Sequence, residues 1–183
     1  MELNILDWFQ TLHTPILDKI MTSITKQGDA GIFWIILTLL FLIIPKMRKT
    51  GIIMAAALIM DLLICNVAVK NLAARTRPYE VNTSVQLLVA KLHDYSFPSG
   101  HTAASFASVT ALYLAGEKKL WKPALVLACL IAVSRLYLYV HYPTDVLGGM
   151  IFGILAGFAG YWIVKLLETK LSGRKNAGKQ VRR

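Results

Sequence analysis

Long apolar runs separated by short polar stretches dominate the chain from residue 30 onward. Five runs carry at most one charged residue each: 30–45, 50–69, 95–116, 123–140 and 146–164. A membrane-spanning helix needs about 20 mostly apolar residues, and most of these runs approach or reach that length. The pattern predicts an all-α fold, an integral membrane helical bundle with about five transmembrane helices.

The first 27 residues have a different pattern. Ile5, Leu6, Trp8 and Phe9 alternate with polar residues, and charged residues interrupt the apolar positions that follow. Such mixed stretches are typical of amphipathic helices that lie in the membrane interface. We therefore expect N-terminal interfacial helices to precede the bundle.

Composition narrows the class of protein. The 183 residues are 56% hydrophobic and 16% charged, with a formal net charge of +10. Soluble domains are about 25% charged, and disordered chains are poor in hydrophobic residues, so neither class fits. A nucleic-acid partner would explain the charge but not the apolar excess. We expect membrane lipids as partners, with one membrane domain over 1–170 and a basic tail over 171–183.

The charge is divided unequally between the two ends of the predicted bundle. Five spans place 46–49, 116–122 and the tail after 164 on one face, with thirteen basic and two acidic residues. The opposite face, formed by 1–29, 70–98 and 135–145, holds seven of each. Lys and Arg accumulate in cytoplasmic loops of membrane proteins. The rule predicts a multi-pass cell-membrane protein with a cytoplasmic C-terminus and an extracytoplasmic neutral face.

The last apolar run carries Gly149, Gly153 and Gly157 at four-residue intervals. Small residues at this spacing allow helix backbones to approach closely. We expect helix packing within one chain. A homodimer contact is the alternative, and the sequence leaves the oligomeric state open.

Asp61 is the one charged residue in its apolar run. A hydrogen bond to a neighbouring helix, through Asn66 or Thr38, is the favoured interpretation. A relay role is the alternative, and the sequence does not decide between them.

Polar residues gather at the span ends of the extracytoplasmic face, where ionisable groups usually mark function. They are Lys70, Arg75, Arg77, Ser99, Gly100, His101, Arg135, His141 and Asp145. Lys70, Arg77 and Arg135 form a cationic set, and an Arg fork matches a tetrahedral oxyanion such as phosphate. Arg75 is interpreted as an interface anchor.

Ser99 and Gly100 stand at the expected start of a helix. Ser99 is predicted to be the N-cap, and the free backbone N–H groups of the first turn favour an anion. Glycine at position 100 lets the backbone come close to that anion.

His141 and Asp145 are four residues apart. Asp145 is expected to accept a hydrogen bond from one ring nitrogen of His141 and to leave the other nitrogen as a nucleophile. His101 is then available as the general acid for the leaving group. His13 and His93 have no partner pattern and are interpreted as structural.

These residues form three motifs: Lys70-x6-Arg77-Pro78, then Pro98-Ser99-Gly100-His101, then Ser134-Arg135-x5-His141-x3-Asp145. Together they resemble the three-part signature of the type 2 phosphatidic acid phosphatase and vanadium haloperoxidase superfamily. All three parts match in order over residues 70–145, which is a specific resemblance. The five apolar runs resemble the membrane branch of that superfamily, the small bacterial lipid phosphatases.

The resemblance implies a hydrolase that needs no metal and no cofactor. Lys70, Arg77, Ser99, Gly100 and Arg135 would bind the substrate phosphate. His141, held by Asp145, would form a phosphohistidine, and His101 would protonate the leaving group.

The implied substrate is a lipid with a phosphate or diphosphate head, and undecaprenyl diphosphate is the first choice. Gly100 departs from some undecaprenyl diphosphatases, which carry Asp there, so phosphatidylglycerophosphate and phosphatidate are alternatives. A non-catalytic protein that binds anionic lipids is a second alternative, and transfer of the phosphoryl group to an acceptor other than water is a third.

Overall fold

A computed structural model describes residues 1–180, with side chains described through residue 172. These residues form helices without any β-strand. The α-helices are α1 Glu2–Gln10, α2 Pro15–Gly28, α3 Ile32–Ile43, α4 Arg48–Asp61, α5 Lys70–Ala73, α6 Pro78–Val81, α7 Gly100–Leu114, α8 Trp121–Tyr137 and α9 Pro143–Gln180. A π-helical segment, Leu62–Val69, joins α4 to α5. Of the predicted basic tail over 171–183, the side chains from residue 173 onward lie outside the described part.

The predicted interfacial helix before residue 30 continues into the first span. A short turn, Asp29–Gly31, joins α2 to α3, and within it Ala30 and Gly31 adopt left-handed backbone conformations with φ of 49° and 67°. Together α2 and α3 form one kinked element, Pro15–Ile43. This element is long and apolar enough to cross a membrane, as are Pro45–Val81 and Pro143–Ser172.

The third and fourth predicted spans are helices but are shorter than expected. α7 has 15 residues and α8 has 17. At 1.5 Å per residue they extend about 23 and 26 Å, less than the roughly 30 Å of a bilayer hydrocarbon core. α7 begins at Gly100, directly after the predicted N-cap Ser99. The count of five spans stays a prediction.

α7 lies at the centre of the bundle, and glycines bring α9 against it. A Cβ atom placed on Gly149 would lie 2.5 Å from the carbonyl oxygen of Ser99, and one on Gly157 would lie 2.5 Å from Thr110 Cβ. A Cβ on Gly153 would collide with the Ala103 carbonyl. Real Cβ atoms do not approach this closely, so the α7–α9 contact requires glycine. The predicted packing within one chain is confirmed.

The N-terminal helices pack against the turn between α8 and α9. Leu6 of α1 is fully buried in a cluster with Tyr137 and Tyr139. The hydroxyl of Tyr139 donates to Asp7 at 2.7 Å, and the hydroxyl of Tyr137 donates to Asp18 at 2.6 Å. The start of this turn is therefore held by α1 and α2.

The two predicted faces correspond to opposite ends of the bundle. At one end Lys49 pairs with Glu168 at 2.7 Å, and Thr50 donates to Glu117 at 2.7 Å. These contacts bring together the loop at 46–49, the loop at 116–122 and the region after 164. The residues of the neutral face meet at the other end.

Candidate active site

Lys70 and Arg77 share one carboxylate. Asp94 Oδ2 pairs with Lys70 Nζ, and Asp94 Oδ1 accepts from Arg77 Nη2 at 2.6 Å. Arg77 Nε also donates to the Asp94 carbonyl at 2.8 Å. Lys70 and Arg77 are buried, whereas the Asp94 side chain is 51% exposed. We call the place defined by Lys70 Nζ and Arg77 Nη2 the anion position.

Asp94 is ionised at neutral pH. Partial burial favours the neutral acid, but the hydrogen bonds and positive charges of Lys70 and Arg77 outweigh it. Together they lower the pKa of Asp94 from 3.8 to about 2. No sequence motif marks Asp94, because it is a lone acid in a loop.

His141 lies beside the anion position in the turn between α8 and α9. Its Nε2 is 3.3 Å from Arg77 Nη1, which also donates to the carbonyl of Val140 at 2.8 Å. Its Nδ1 is 3.5 Å from Asp145 Oδ2, longer than an ordinary N–H···O hydrogen bond. The predicted pair is therefore assembled side by side, but its hydrogen bond is not closed.

Three groups hold the Asp145 carboxylate. Ser96 Oγ donates to it at 2.5 Å, the Tyr142 backbone N–H at 2.8 Å and Arg75 Nη1 at 2.6 Å. Arg75 also pairs with Glu2 at 2.6 Å and lies over the Tyr142 ring. The interpretation of Arg75 as an interface anchor is wrong, because its guanidinium fixes the carboxylate next to His141.

The start of α7 meets the same region. Ser99 occupies the predicted N-cap position, but its hydroxyl accepts from Thr102 Oγ1 at 3.0 Å rather than capping the helix. Its backbone N–H donates to the Asp145 carbonyl at 3.0 Å. A Cβ on Gly100 would lie 3.1 Å from Asn66 Oδ1, so glycine keeps the start of α7 close to the Lys70 segment.

His101 contacts an acid from the N-terminal part of the chain. Its Nε2 is 2.8 Å from Asp29 Oδ1, in the turn between α2 and α3. A Cβ on the preceding Gly28 would lie 2.7 Å from His101 Cδ2, so a larger residue there would displace the imidazole. No sequence motif marks Asp29. The left-handed turn that directs it toward His101 has no clear sequence signal.

Arg135 is buried near the C-terminus of α8. Its Nη1 donates to Thr25 Oγ1 of α2, and within residues 1–180 its Nε has no hydrogen-bond partner. An unpaired buried donor carries a desolvation cost. An incoming anion that reached this nitrogen would relieve that cost.

One cavity of about 860 Å³ joins the charged groups to an apolar groove. Its polar end is lined by Lys70, Arg77, Asp94, His101 and His141, and Gly100 borders it. Its other end is lined by apolar residues of α3, α4 and the π-helical segment: Ile35, Leu39, Leu42, Leu58, Ile59 and Leu62. Asp145 lies behind the polar end, where it supports His141.

Asp61 also lines this cavity, and it is 3% exposed. Among the described residues its Oδ1 has no hydrogen-bond partner, and Thr38 donates instead to the Trp34 carbonyl at 2.7 Å. The expected hydrogen bond through Thr38 or Asn66 is not formed.

Comparisons with known proteins show the family of the chain. The family model of the PAP2 superfamily matches residues 50–168. An undecaprenyl-diphosphatase of Sulfolobus acidocaldarius is 32% identical over 142 residues, which cover 78% of this chain and 68% of the relative. Undecaprenyl-diphosphatase BcrC of Bacillus subtilis is 31% identical over 160 residues, covering 85% and 79%.

Two solved structures have the same fold. Aquifex aeolicus LpxE superposes with a TM-score of 0.75 at 27% identity, covering 87% of this chain and 93% of its own. A transmembrane PAP2-type phosphatidylglycerolphosphate phosphatase from Bacillus subtilis gives 0.69 at 29% identity, covering 91% and 84%. The chain therefore belongs to the PAP2 superfamily, and the predictions of an all-helical membrane protein and of a membrane lipid phosphatase are confirmed.

Proposed function

We propose that the protein hydrolyses undecaprenyl diphosphate without a metal ion. The observation that carries this proposal is the continuity of the cavity from the histidines to the apolar groove along α3 and α4. A phosphorylated head at the polar end would leave a long hydrocarbon chain in the groove. The names of two relatives, both undecaprenyl-diphosphatases, support the choice of lipid.

In the proposed first step the terminal phosphate binds to Lys70, Arg77 and Arg135, with Ser99 and the Gly100 N–H as further donors. His141 Nε2 attacks phosphorus, so a P–N bond forms while the bond to the leaving oxygen breaks. His101 supplies a proton to that oxygen. Asp145 stabilises the positive charge on the His141 ring, and Arg75 and Ser96 keep Asp145 in place.

In the second step water attacks the phosphohistidine. His101, now without its proton, accepts one from this water, and the P–N bond breaks to release orthophosphate and neutral His141. The cations stabilise the charge that develops on the phosphoryl oxygens in both steps.

Phosphatidylglycerophosphate and phosphatidate are the alternative substrates. A structural neighbour is a phosphatidylglycerolphosphate phosphatase, so the same fold accommodates a glycerolipid in that protein. A binding protein without turnover would need the cations but not a second histidine opposite His141.

Phosphate release should be measured in one detergent, with EDTA, on undecaprenyl diphosphate, phosphatidylglycerophosphate and phosphatidate. We expect the highest kcat/KM on undecaprenyl diphosphate and loss of activity in His141→Ala. His93→Ala is the matched control, because His93 is exposed and has no assigned role. A faster rate on a glycerolipid would overturn the choice of substrate. An EDTA-sensitive rate, or full activity in His141→Ala, would overturn the mechanism.

We also propose that residues 1–170 form one phosphatase domain. The contacts of α1 and α2 with the His141 turn support it, since the N-terminal helices then belong to the same unit as the motifs.

A further inference from the structure

The anion position is filled by a group of the protein itself. Asp94 uses both of its carboxylate oxygens there, one on Lys70 and one on Arg77. Its outer side faces solvent, and it belongs to a stretch, 82–99, that forms no regular helix. No secondary structure therefore holds the carboxylate in place.

A substrate phosphate and Asp94 need the same donors. His141 Nε2 lies 3.3 Å from one arm of the Arg77 guanidinium, while the other arm binds Asp94 at 2.6 Å. A phosphorus atom within reach of Nε2 places its oxygens against this guanidinium and against Lys70. Carboxylate and phosphoryl oxygens both form charge-assisted bonds with Arg and Lys, so they compete for one position.

We propose that Asp94 is a specificity-determining residue, whose carboxylate holds the anion position before substrate binds and yields it more readily to a lipid-borne phosphate than to free orthophosphate. The inference rests on the proposed function. A lipid substrate gains additional binding free energy from the apolar groove, and this offsets the cost of displacing Asp94. Free orthophosphate has no such contribution, so the returning carboxylate expels it after turnover.

The competing explanation is that Asp94 only holds Lys70 and Arg77 in position. The two explanations predict opposite effects of removing the charge. If Asp94 competes, its removal frees the cations and strengthens the binding of orthophosphate. If Asp94 only positions the cations, its removal loosens them and weakens that binding.

Binding of inorganic phosphate and of vanadate to the purified protein in detergent, by calorimetry, distinguishes them. We expect Asp94→Asn to lower the Kd of orthophosphate about tenfold, with a smaller fall in the KM of the lipid substrate. Glu168→Gln is the matched control, because it removes the same charge from an exposed pair at the far end of α9. An unchanged or raised Kd in a folded Asp94→Asn protein would overturn the proposal.

A measurement on the unaltered protein covers the case in which Asp94→Asn does not fold. Saturating vanadate should speed amide hydrogen exchange over residues 88–96, because displaced Asp94 releases the contacts of this segment with Arg77. Unchanged or slower exchange in that segment would contradict displacement.

Neither binding experiment requires turnover, so the two proposals can fail separately. A wild-type protein that hydrolyses no lipid phosphate, with an Asp94→Asn variant that binds orthophosphate more tightly, would contradict the function and support the competition. An active wild-type protein, with an Asp94→Asn variant whose affinity for orthophosphate is unchanged, would support the function and contradict the competition.

Discussion

His101 and His141 each face a carboxylate, and the two carboxylates come from different parts of the chain. Asp145 is four residues from His141 and is fixed by Arg75 and Ser96. Asp29 lies 72 residues before His101 and reaches it through the left-handed turn after α2. Asp29 orients the imidazole that we assign as general acid. Removal of its carboxylate should therefore slow hydrolysis most for substrates whose leaving oxygen must be protonated.

We expect Asp29→Asn to reduce kcat on a lipid monophosphate about tenfold, less than the roughly 10²–10⁴-fold that the general acid itself contributes, because the imidazole remains. The kcat on p-nitrophenyl phosphate should fall much less, because the p-nitrophenolate leaving group departs without a proton. Rates on both substrates, with Asp29→Glu as the conservative variant, provide the measurement. Equal losses on the two substrates would show that Asp29 has only a structural role.

The sequence predicts a site residue when that residue belongs to a motif, and misses it when its role depends on partners far away along the chain. Lys70, Arg77, His101 and His141 belong to motifs with fixed spacing, and they line one cavity. Asp29 and Asp94 act through contacts with distant segments, so no local pattern selects them. The role of Arg75 has no sequence signal for the same reason, since its partners Glu2 and Asp145 lie 73 and 70 residues away.

Among the helices, apolar runs located α3, α4, α7, α8 and α9, but their ends depend on the backbone. The join between α2 and α3 rests on two left-handed residues, one of them an alanine, which sequence patterns do not indicate. The start of α7 at Gly100 is the exception, because Ser99 is the predicted N-cap, although the contact of its backbone N–H with the Asp145 carbonyl is provided only by the folded chain.

The N-terminal helix α1 supports the turn that carries His141, and Leu6 tests this support. Leu6 is fully buried, so Leu6→Ala should leave a cavity and cost about 2–5 kcal/mol, as buried Leu→Ala changes do. Ile5→Ala is the matched control, because the neighbouring Ile5 is 42% exposed. Thermal unfolding in detergent gives the comparison. Equal losses of stability in the two variants would mean that α1 does not pack on the turn as described.

Across the whole molecule, the contacts place the polar segments at two opposite ends of the bundle. The net positive charge is therefore concentrated at one end. The end that holds Lys49, Glu117 and Glu168 carries the excess of basic residues, and the opposite end carries the candidate active site. Basic loops remain in the cytoplasm during insertion. The candidate site should therefore open on the extracytoplasmic side, where a lipid of the outer leaflet can enter the groove laterally.

Cysteine labelling in intact cells tests this orientation. Cys65 and Cys129 are first replaced by alanine, and one cysteine is introduced at Thr83 or at Lys119, both exposed and at opposite ends of the bundle. A membrane-impermeant maleimide should label Thr83→Cys in intact cells and Lys119→Cys only after permeabilisation. The reverse pattern would place the site in the cytoplasm. The enzyme would then act on lipids of the inner leaflet, and the asymmetry of basic residues would no longer account for its orientation.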